Sequence, residues 1–288
     1  MLKISDEWQF YKLLDCGNGE KLEYWNGVLL RRPDPQAMWN VNNYDMWHNV
    51  NAFYERKETG GGSWQDIKDV PESWTIGYKN LTFKLALTNF KHTGLFPEQA
   101  VNWDYMINKI KSSKRKIKVL NLFAYTGAAT MACSSAGADV TQVDASKGMT
   151  EWAKENMKLN KLENNKIRFI VDDCLKFVER EARRGNKYDA IVMDPPSFGR
   201  GPKKEVWKFE DSLYKLIDAS LNILSNKPLF FLINSYTTGI SNMVLDNILK
   251  TTVLKKYPNG KVESGELALP VERDNMLLPC GIYGLWEE

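Results

Sequence analysis

The chain has 288 residues, 43% hydrophobic and 26% charged, with 39 lysines and arginines against 36 acids for a formal net charge of +3. At ~150 residues per domain, that length allows one large domain plus a small one; the composition is that of a folded core rather than a disordered chain, and so slight a basic excess does not by itself announce nucleic acid. Cys16, Cys133, Cys174 and Cys280 lie far apart without a CxxC pair, which argues against a zinc site or a disulfide framework and for a reducing compartment. There is no run of ~18 apolar residues, and Met1-Leu-Lys-Ile-Ser is no signal peptide, so the expectation is a cytosolic protein with no membrane segment and no metal.

Residues 1–90 read as a β-rich accessory domain. Phe10-Tyr-Lys-Leu-Leu and Lys21-Leu-Glu-Tyr-Trp flank Asn18-Gly19, a hairpin signal, and Asn26-Gly27 is a second. Gly60-Gly-Gly-Ser reads as a flexible loop. Two more strands are expected from Trp74 to Tyr78 and from Leu81 to Leu87. Trp25, Trp39, Trp47, Trp64 and Trp74 have two readings: core residues of a small β-domain, or a platform on which bases stack. Residues 91–116 form a connection. The loop His92-Thr-Gly-Leu-Phe-Pro-Glu-Gln99 is broken by glycine and proline, a helix follows from Glu98 to about Lys111, and Lys111-Ser-Ser-Lys-Arg-Lys116 is a solvated basic link.

From residue 117 to the end the pattern is βα repeated. Strands are expected at 118–123, 138–143, 167–171, 189–193 and 229–233, and helices near 128–136, 147–159, 174–184, 208–224 and 240–251. Such alternation means a doubly wound, mostly parallel α/β sheet. Gly265–Pro270 and Cys280–Trp286 add a terminal antiparallel pair with no helix between them, for seven strands in all.

Ligands of open α/β sheets sit beyond the carboxyl ends of the strands. The first strand delivers Asn121, Phe123, Ala124, Tyr125, Thr126 and Gly127 there, and then a small-residue helix whose unpaired N–H groups suit an anionic or polar ligand. The second delivers Asp144, Ala145 and Ser146, a carboxylate able to accept both hydroxyls of a ribose. The third delivers Asp172, Asp173 and Cys174, the fourth Asp194-Pro-Pro-Ser-Phe198, and the fifth Asn234-Ser-Tyr236. The double proline forces the chain out of the ladder. The Pro195 carbonyl and the Asp194 carboxylate then form a cradle for a planar group bearing an NH₂, with Phe198 as a stacking face. The other reading of this segment is a strand-ending turn with a buried phenylalanine.

Phe123-Ala-Tyr-Thr-Gly127, Val143-Asp-Ala-Ser-Lys147, Asn156 and Asn160, Asp172-Asp173 and Asp194-Pro-Pro-Ser-Phe198 resemble the successive motifs of class I S-adenosylmethionine-dependent methyltransferases. Within that class the resemblance is to the group typified by bacterial 23S ribosomal RNA large-subunit methyltransferases, which carry a small β-domain before the catalytic one. The His92–Gln99 loop and the Gly17–Glu23 hairpin look like that group's accessory region. The resemblance covers residues 10–286. It implies a Rossmann-like fold, S-adenosyl-L-methionine as cofactor and ribosomal RNA as partner. The Tyr125–Gly127 turn would bind the cofactor's amino-acid end, Asp144 the ribose, and Asp173 or Asp172 with Cys174 the adenine. Phe96 or Gln99 would close over it, and Asn121, Phe123, Ala124, Ala145, Ser146 and Asn156 would complete its surroundings. Asp194, Pro195, Pro196 and Phe198 would face the acceptor, with Ser197, Arg200, Lys203 and Tyr236 on the substrate side. The methyl already sits on a good leaving group, so alignment carries most of the catalysis.

One departure selects the chemistry. Enzymes of this kind that methylate carbon C5 of a pyrimidine need a thiolate to add at C6, and the segment after the fifth strand, Asn234-Ser-Tyr-Thr, has no cysteine. N-methylation of a base is therefore the favoured reading. Gly199-Arg-Gly-Pro-Lys-Lys204 is expected as a mobile basic loop suited to phosphate contacts, or as a disordered surface loop. Three alternatives remain: a methyltransferase acting on a small molecule or a protein amide, a non-catalytic RNA- or cofactor-binding module, and a nicotinamide dehydrogenase. The last is disfavoured because the turn has only Gly127 where GxGxxG is expected.

Overall fold

The βα alternation from Lys118 onward closes into one sheet in the computed structural model, which describes residues 1–41, 45–57, 61–273 and 275–288. In chain order the first strands are β1 (Leu2–Ile4), β2 (Tyr11–Gly17), β3 (Glu20–Trp25), β4 (Val28–Pro33), β5 (Ala52–Arg56), β6 (Gly62–Gln65), β7 (Trp74–Tyr78) and β8 (Leu81–Leu85). There follow α1 (Ala100–Ser112), β9 (Lys118–Leu122), α2 (Ala128–Ser135), β10 (Asp139–Asp144), α3 (Lys147–Leu159), β11 (Ile167–Val171), α4 (Cys174–Arg183) and β12 (Ala190–Met193). The chain ends with β13 (Phe198–Arg200), β14 (Val206–Lys208), α5 (Phe209–Leu221), β15 (Phe230–Ser235), α6 (Asn242–Leu249), β16 (Lys261–Pro270) and β17 (Leu277–Glu287).

The chain divides into two compact units, one of Met1–Lys3, Val101–Leu267 and Gly281–Glu288, the other of Ile4–Ala100 and Ala268–Cys280. In the first, the sheet runs β1-β16-β17-β15-β12-β9-β10-β11. β12, β9, β10, β11 and β15 pair in parallel, and β17 joins β15 antiparallel, as the terminal pair was expected to do. The strand order reverses between β9 and β12, the switch point where α/β sheets bind ligands. The core on one face of the central strands includes Leu120, Leu122, Ile191, Met193, Phe231, Ile233 and Trp286, and on the other face Val119, Val192, Phe230 and Leu232 are buried as well.

Several expectations need correction. The sheet has eight strands, not seven. β1 covers the outer edge, with the Met1 amino group donating to the Ser264 carbonyl at 2.6 Å and Glu266 N–H donating to Met1 at 2.9 Å. Three residues carry too little alternation to be read as a strand. The expected helix from Glu98 begins as a 3-10 turn over Pro97–Gln99 and is α-helical from Ala100. The last helix ends in a π-helical turn, Lys250–Leu254. The basic loop 199–204 is not a disordered loop but part of the β13–β14 hairpin, paired Phe198↔Lys208, Gly199↔Trp207 and Arg200↔Val206.

The second unit holds a five-stranded sheet, β2-β3-β4-β5-β6, and the β7–β8 hairpin. Asn18-Gly19 and Asn26-Gly27 are turns with positive φ at both central residues, the geometry that matches strand twist in two-residue hairpins. Gly60 of the expected loop lies outside the described residues, and Gly62 and Ser63 belong to β6. Of the five tryptophans, two are core residues and Trp39, Trp64 and Trp74 are half-buried. Trp25 and Trp47 are buried. The indoles of Trp39, Trp47, Trp64 and Trp74 donate to Cys16 O, Asp15 Oδ2, Thr88 O and Trp25 O at 2.8–2.9 Å. A buried ion pair organises this unit. Glu23 accepts Arg32 Nε at 2.6 Å, Arg32 Nη2 at 2.8 Å and the Tyr11 hydroxyl at 2.8 Å.

Candidate active site at the switch point

β9 ends in a backbone that alternates handedness. Phe123, Tyr125 and Gly127 all have positive φ, at 54°, 51° and 82°. Bulky residues rarely adopt that region, at a cost of ~1–3 kcal/mol each, and such outliers cluster where a ligand is held. Gly127 is fixed twice over, because a Cβ there would lie 2.7 Å from Gln142 Oε1 and 2.9 Å from Ala153 Cβ. It also caps α2 without a side chain, so the first N–H groups of that helix are left to a ligand.

Neighbouring side chains brace the turn. Tyr125 N–H donates to Asp144 Oδ2 at 2.8 Å, and Ser146 N–H donates to Oδ1 at 2.8 Å. Asn156 Nδ2 donates to Thr126 O at 2.9 Å, Gln142 Nε2 to Tyr125 O at 3.3 Å, and Asn121 Nδ2 to Thr130 Oγ1 at 2.9 Å. Asn121 and Asn156 are buried, so they support the turn from behind rather than line it. Ala124, nearly buried, ties to Val143 O at 3.1 Å. Asp144 stands half-buried at the end of β10. Burial pushes its carboxyl up, against the lowering effect of the two backbone donors. Each carboxylate oxygen keeps a second lone pair, so the geometry that steadies the turn also leaves acceptors for a diol. Ala145 is half-buried beside it, and Ser146 caps α3 through Met149 N–H at 3.3 Å.

The third strand end is more heavily committed than the sequence suggests. Asp172 Oδ1 accepts Asp173 N–H at 2.9 Å, and its Oδ2 pairs with Arg180. Asp173 Oδ1 caps α4 through Lys176 N–H at 2.9 Å, which leaves its Oδ2 as the oxygen that can face an exocyclic amine. Cys174 is buried, and burial pushes its thiol well up even though the Phe123 backbone N–H lowers it.

β12 lies beside β9 with Met193 opposite Leu122, and Asp194 N–H continues the ladder to Leu122 O at 3.3 Å. Because β10 and β12 both run parallel to β9, Asp144 and Asp194 share one rim of the sheet. Pro195 is buried; Pro196, Ser197 and Phe198 are exposed. Phe198 is 56% exposed, which rules out the buried-phenylalanine reading and leaves its ring available. Ser197 Oγ lies 3.0 Å from Thr237 Oγ1, joining this segment to the loop after β15. There Tyr236 packs so close to β17 that a Cβ on Gly281 would sit 3.0 Å from its ring. Arg200 and Lys203 are exposed on the hairpin.

Sequence reasoning missed Trp207, Gln142 and Thr237. Trp207 is buried, its indole N–H donates to Pro196 O at 2.7 Å, and its ring lies 4.7 Å from Phe123. Only the hairpin brings it there. Gln142 had a weak signal, a long polar side chain between Val140 and Val143 two residues before Asp144. Phe96 and Gln99 belong to the second unit. There Phe96 packs on His92 with ring centroids 5.1 Å apart, and Gln99 N–H donates to Phe96 O at 3.1 Å.

Residues 48–241 match the family described as S-adenosylmethionine-dependent methyltransferase. The chain is similar to a SAM-dependent methyltransferase from Agrobacterium tumefaciens of known crystal structure, with a TM-score of 0.94, 36% identity, and coverage of 100% of this chain and 93% of that one. It is 30% identical over 196 residues to ribosomal RNA large subunit methyltransferase K/L of Colwellia psychrerythraea, covering 67% of this chain and 26% of the relative. It is 27% identical over 237 residues to ribosomal RNA large subunit methyltransferase K of Neisseria meningitidis serogroup B, covering 79% and 64%. The chain thus spans about a quarter of the first relative's length and under two thirds of the second's. The alternating turn, the helix terminus behind it and the paired acceptors of Asp144 fit this cofactor's amino-acid and ribose ends, and the chain belongs to the S-adenosylmethionine-dependent methyltransferases.

Proposed function

We propose that this methyltransferase methylates a nitrogen of a base in ribosomal RNA. The observation that carries the reading is the placement of Asp194 and the double proline on the same rim as the cofactor turn, with an exposed aromatic ring four residues on. The relatives named for large-subunit ribosomal RNA support the acceptor class.

The cofactor supplies an electrophilic methyl on a sulfonium; the protein's part is alignment. Asp144 and the 123–127 turn orient the donor, and Asp194 with the Pro195 carbonyl accepts hydrogens from the acceptor's amine, turning its lone pair toward the methyl. The proton acidified by transfer leaves to water or to Asp194.

Burial pushes all four thiols up, Cys16 and Cys133 to about 12 and Cys174 and Cys280 well above the ordinary value. None of them lies in the Asp194–Phe198 segment or in Asn234-Ser-Tyr-Thr at the end of β15, so attack at pyrimidine C6 has no thiol in either segment to carry it, and nitrogen is the favoured acceptor atom. A glutamine amide would satisfy the same two acceptors, but the exposed Phe198 and Arg200 favour a base. Cytoplasmic residence follows from this acceptor. Among the described residues no helix is long and apolar enough to cross a membrane, and no group of three or more His, Cys, Asp or Glu could hold a metal ion.

The test is incubation with methyl-labelled S-adenosylmethionine and separated ribosomal RNA, protein and metabolite pools. Label in RNA as an N-methylated nucleoside is expected. Label confined to protein or small molecules would overturn the acceptor.

A further inference from the structure

The β13–β14 hairpin has two faces of different character. Gly199 and Trp207 point inward, where Trp207 grips Phe123 and the Pro196 carbonyl. Phe198, Arg200, Val206 and Lys208 form the other two cross-strand pairs. All four are exposed, Phe198 by 56% and Val206 by 57%. A scattered exposed apolar residue means nothing; here two share one small strip with two cations. The tip adds exposed Lys203 and Lys204. Glu205, the single acid from Phe198 to Lys208, is drawn to Lys176 at 2.6 Å and to the Lys203 N–H at 2.8 Å. Arg200, Lys203, Lys204 and Lys208 make no ion pair with a described residue. The nearest acids in sequence, Glu210 and Asp211, lie in the first turn of α5.

We propose that this outer face is the docking strip for single-stranded RNA on either side of the methylated base. Arg200 and Lys208 contact phosphates, and Phe198 and Val206 cover a base or sugar face. Interleaved cations and apolar or aromatic side chains suit single-stranded nucleic acid, which offers both a charged backbone and unstacked bases. The strip begins at Phe198, so RNA lying on it is delivered straight to the Asp194 cradle. The inward grip of Trp207 fixes the strip's distance from the cofactor turn. This rests on the ribosomal RNA reading above.

The test compares the whole protein with an R200A/K208A variant and, as a control for general charge, with a K158A/K161A variant. Fluorescence anisotropy with labelled single-stranded fragments of large-subunit ribosomal RNA, from 50 to 300 mM KCl, reads affinity and salt slope. The result expected is at least a tenfold loss of affinity for R200A/K208A, with the slope of log K against log salt shallower by about 1.4 for two lost single-strand phosphate contacts. The thermal shift produced by S-adenosylmethionine should stay at the wild-type value, which shows the fold intact. Wild-type affinity and slope in R200A/K208A, or an equal loss in K158A/K161A, would overturn the strip while leaving the RNA reading standing. Failure of the wild-type protein to bind or methylate any ribosomal RNA fragment would overturn both.

Discussion

The indole N–H of Trp207 donates to the carbonyl oxygen of Pro196 at 2.7 Å, so one side chain holds the exit of β12 while its ring rests on Phe123 at the exit of β9. It thereby ties together the two strand exits that we propose hold donor and acceptor. W207F keeps most of the ring and removes the donor. A single hydrogen bond of this kind is worth about 1 kcal/mol net, so steady-state kinetics should show kcat reduced roughly fivefold with KM for S-adenosylmethionine little changed. A change confined to KM for the cofactor would place Trp207 in the donor site alone.

Gly127 should be intolerant of even one added carbon. A left-handed backbone costs an L-residue about 1–2 kcal/mol, and the new Cβ of G127A would meet Gln142 and Ala153 inside 3.0 Å. Expected outcomes are a lowered melting temperature and at least tenfold weaker cofactor binding, read by thermal melts and isothermal titration calorimetry. Wild-type values for both would mean that the turn is not held as described.

Cofactor affinity should depend on pH through Asp144. Burial raises its carboxyl, and ribose hydroxyls need the ionised form to accept both hydrogens. The sign follows directly: affinity is full at neutral pH and falls on acidification, beginning at a higher pH than for an ordinary aspartate. In stability the same shift works the other way. The folded state holds the proton more tightly, so what this group contributes is present in acid and lost as pH rises through the raised value. Calorimetric titration of wild type and D144N across pH 4–8 tests this. D144N should bind more weakly at neutral pH and lose the acid limb.

In the second unit, burial alone would raise the Glu23 carboxyl, yet the Arg32 guanidinium and the Lys21 ammonium hold it down at about 2. Its stabilising contribution is therefore present above the unfolded-state value and lost as pH falls toward 2. E23A leaves Arg32 buried without its partner, a change that typically costs about 3–5 kcal/mol. Chemical denaturation at neutral pH should report a loss of that order. A loss below about 1 kcal/mol would show that water reaches Arg32.

The parallel core was legible because its strands are short, largely apolar runs: Ile191 to Met193 and Phe230 to Ile233 without interruption, and Val119 to Leu122 broken only by Asn121. The acids followed, since Asp194 comes directly after such a run and Asp144 closes the next β-strand pattern. What stayed hidden depends on long-range pairing. Phe198–Arg200 has no strand signal until Val206–Lys208 lies opposite it, so the hairpin read as a loop, and Trp207 had no visible partner. Likewise β1 exists only because β16 offers it an edge. The burial of Trp25 and Trp47 was not legible from composition, and the indole N–H bonds that fix half-buried Trp64 and Trp74 run to carbonyls distant in sequence, Thr88 and Trp25.

The most direct test of the central claim is mass spectrometry of nucleosides from large-subunit ribosomal RNA, taken from cells lacking this protein and from the same cells given back wild type or D194A. The account predicts one N-methylated nucleoside that is missing without the protein, restored by wild type and not restored by D194A. An unchanged nucleoside profile, or full restoration by D194A, would contradict it.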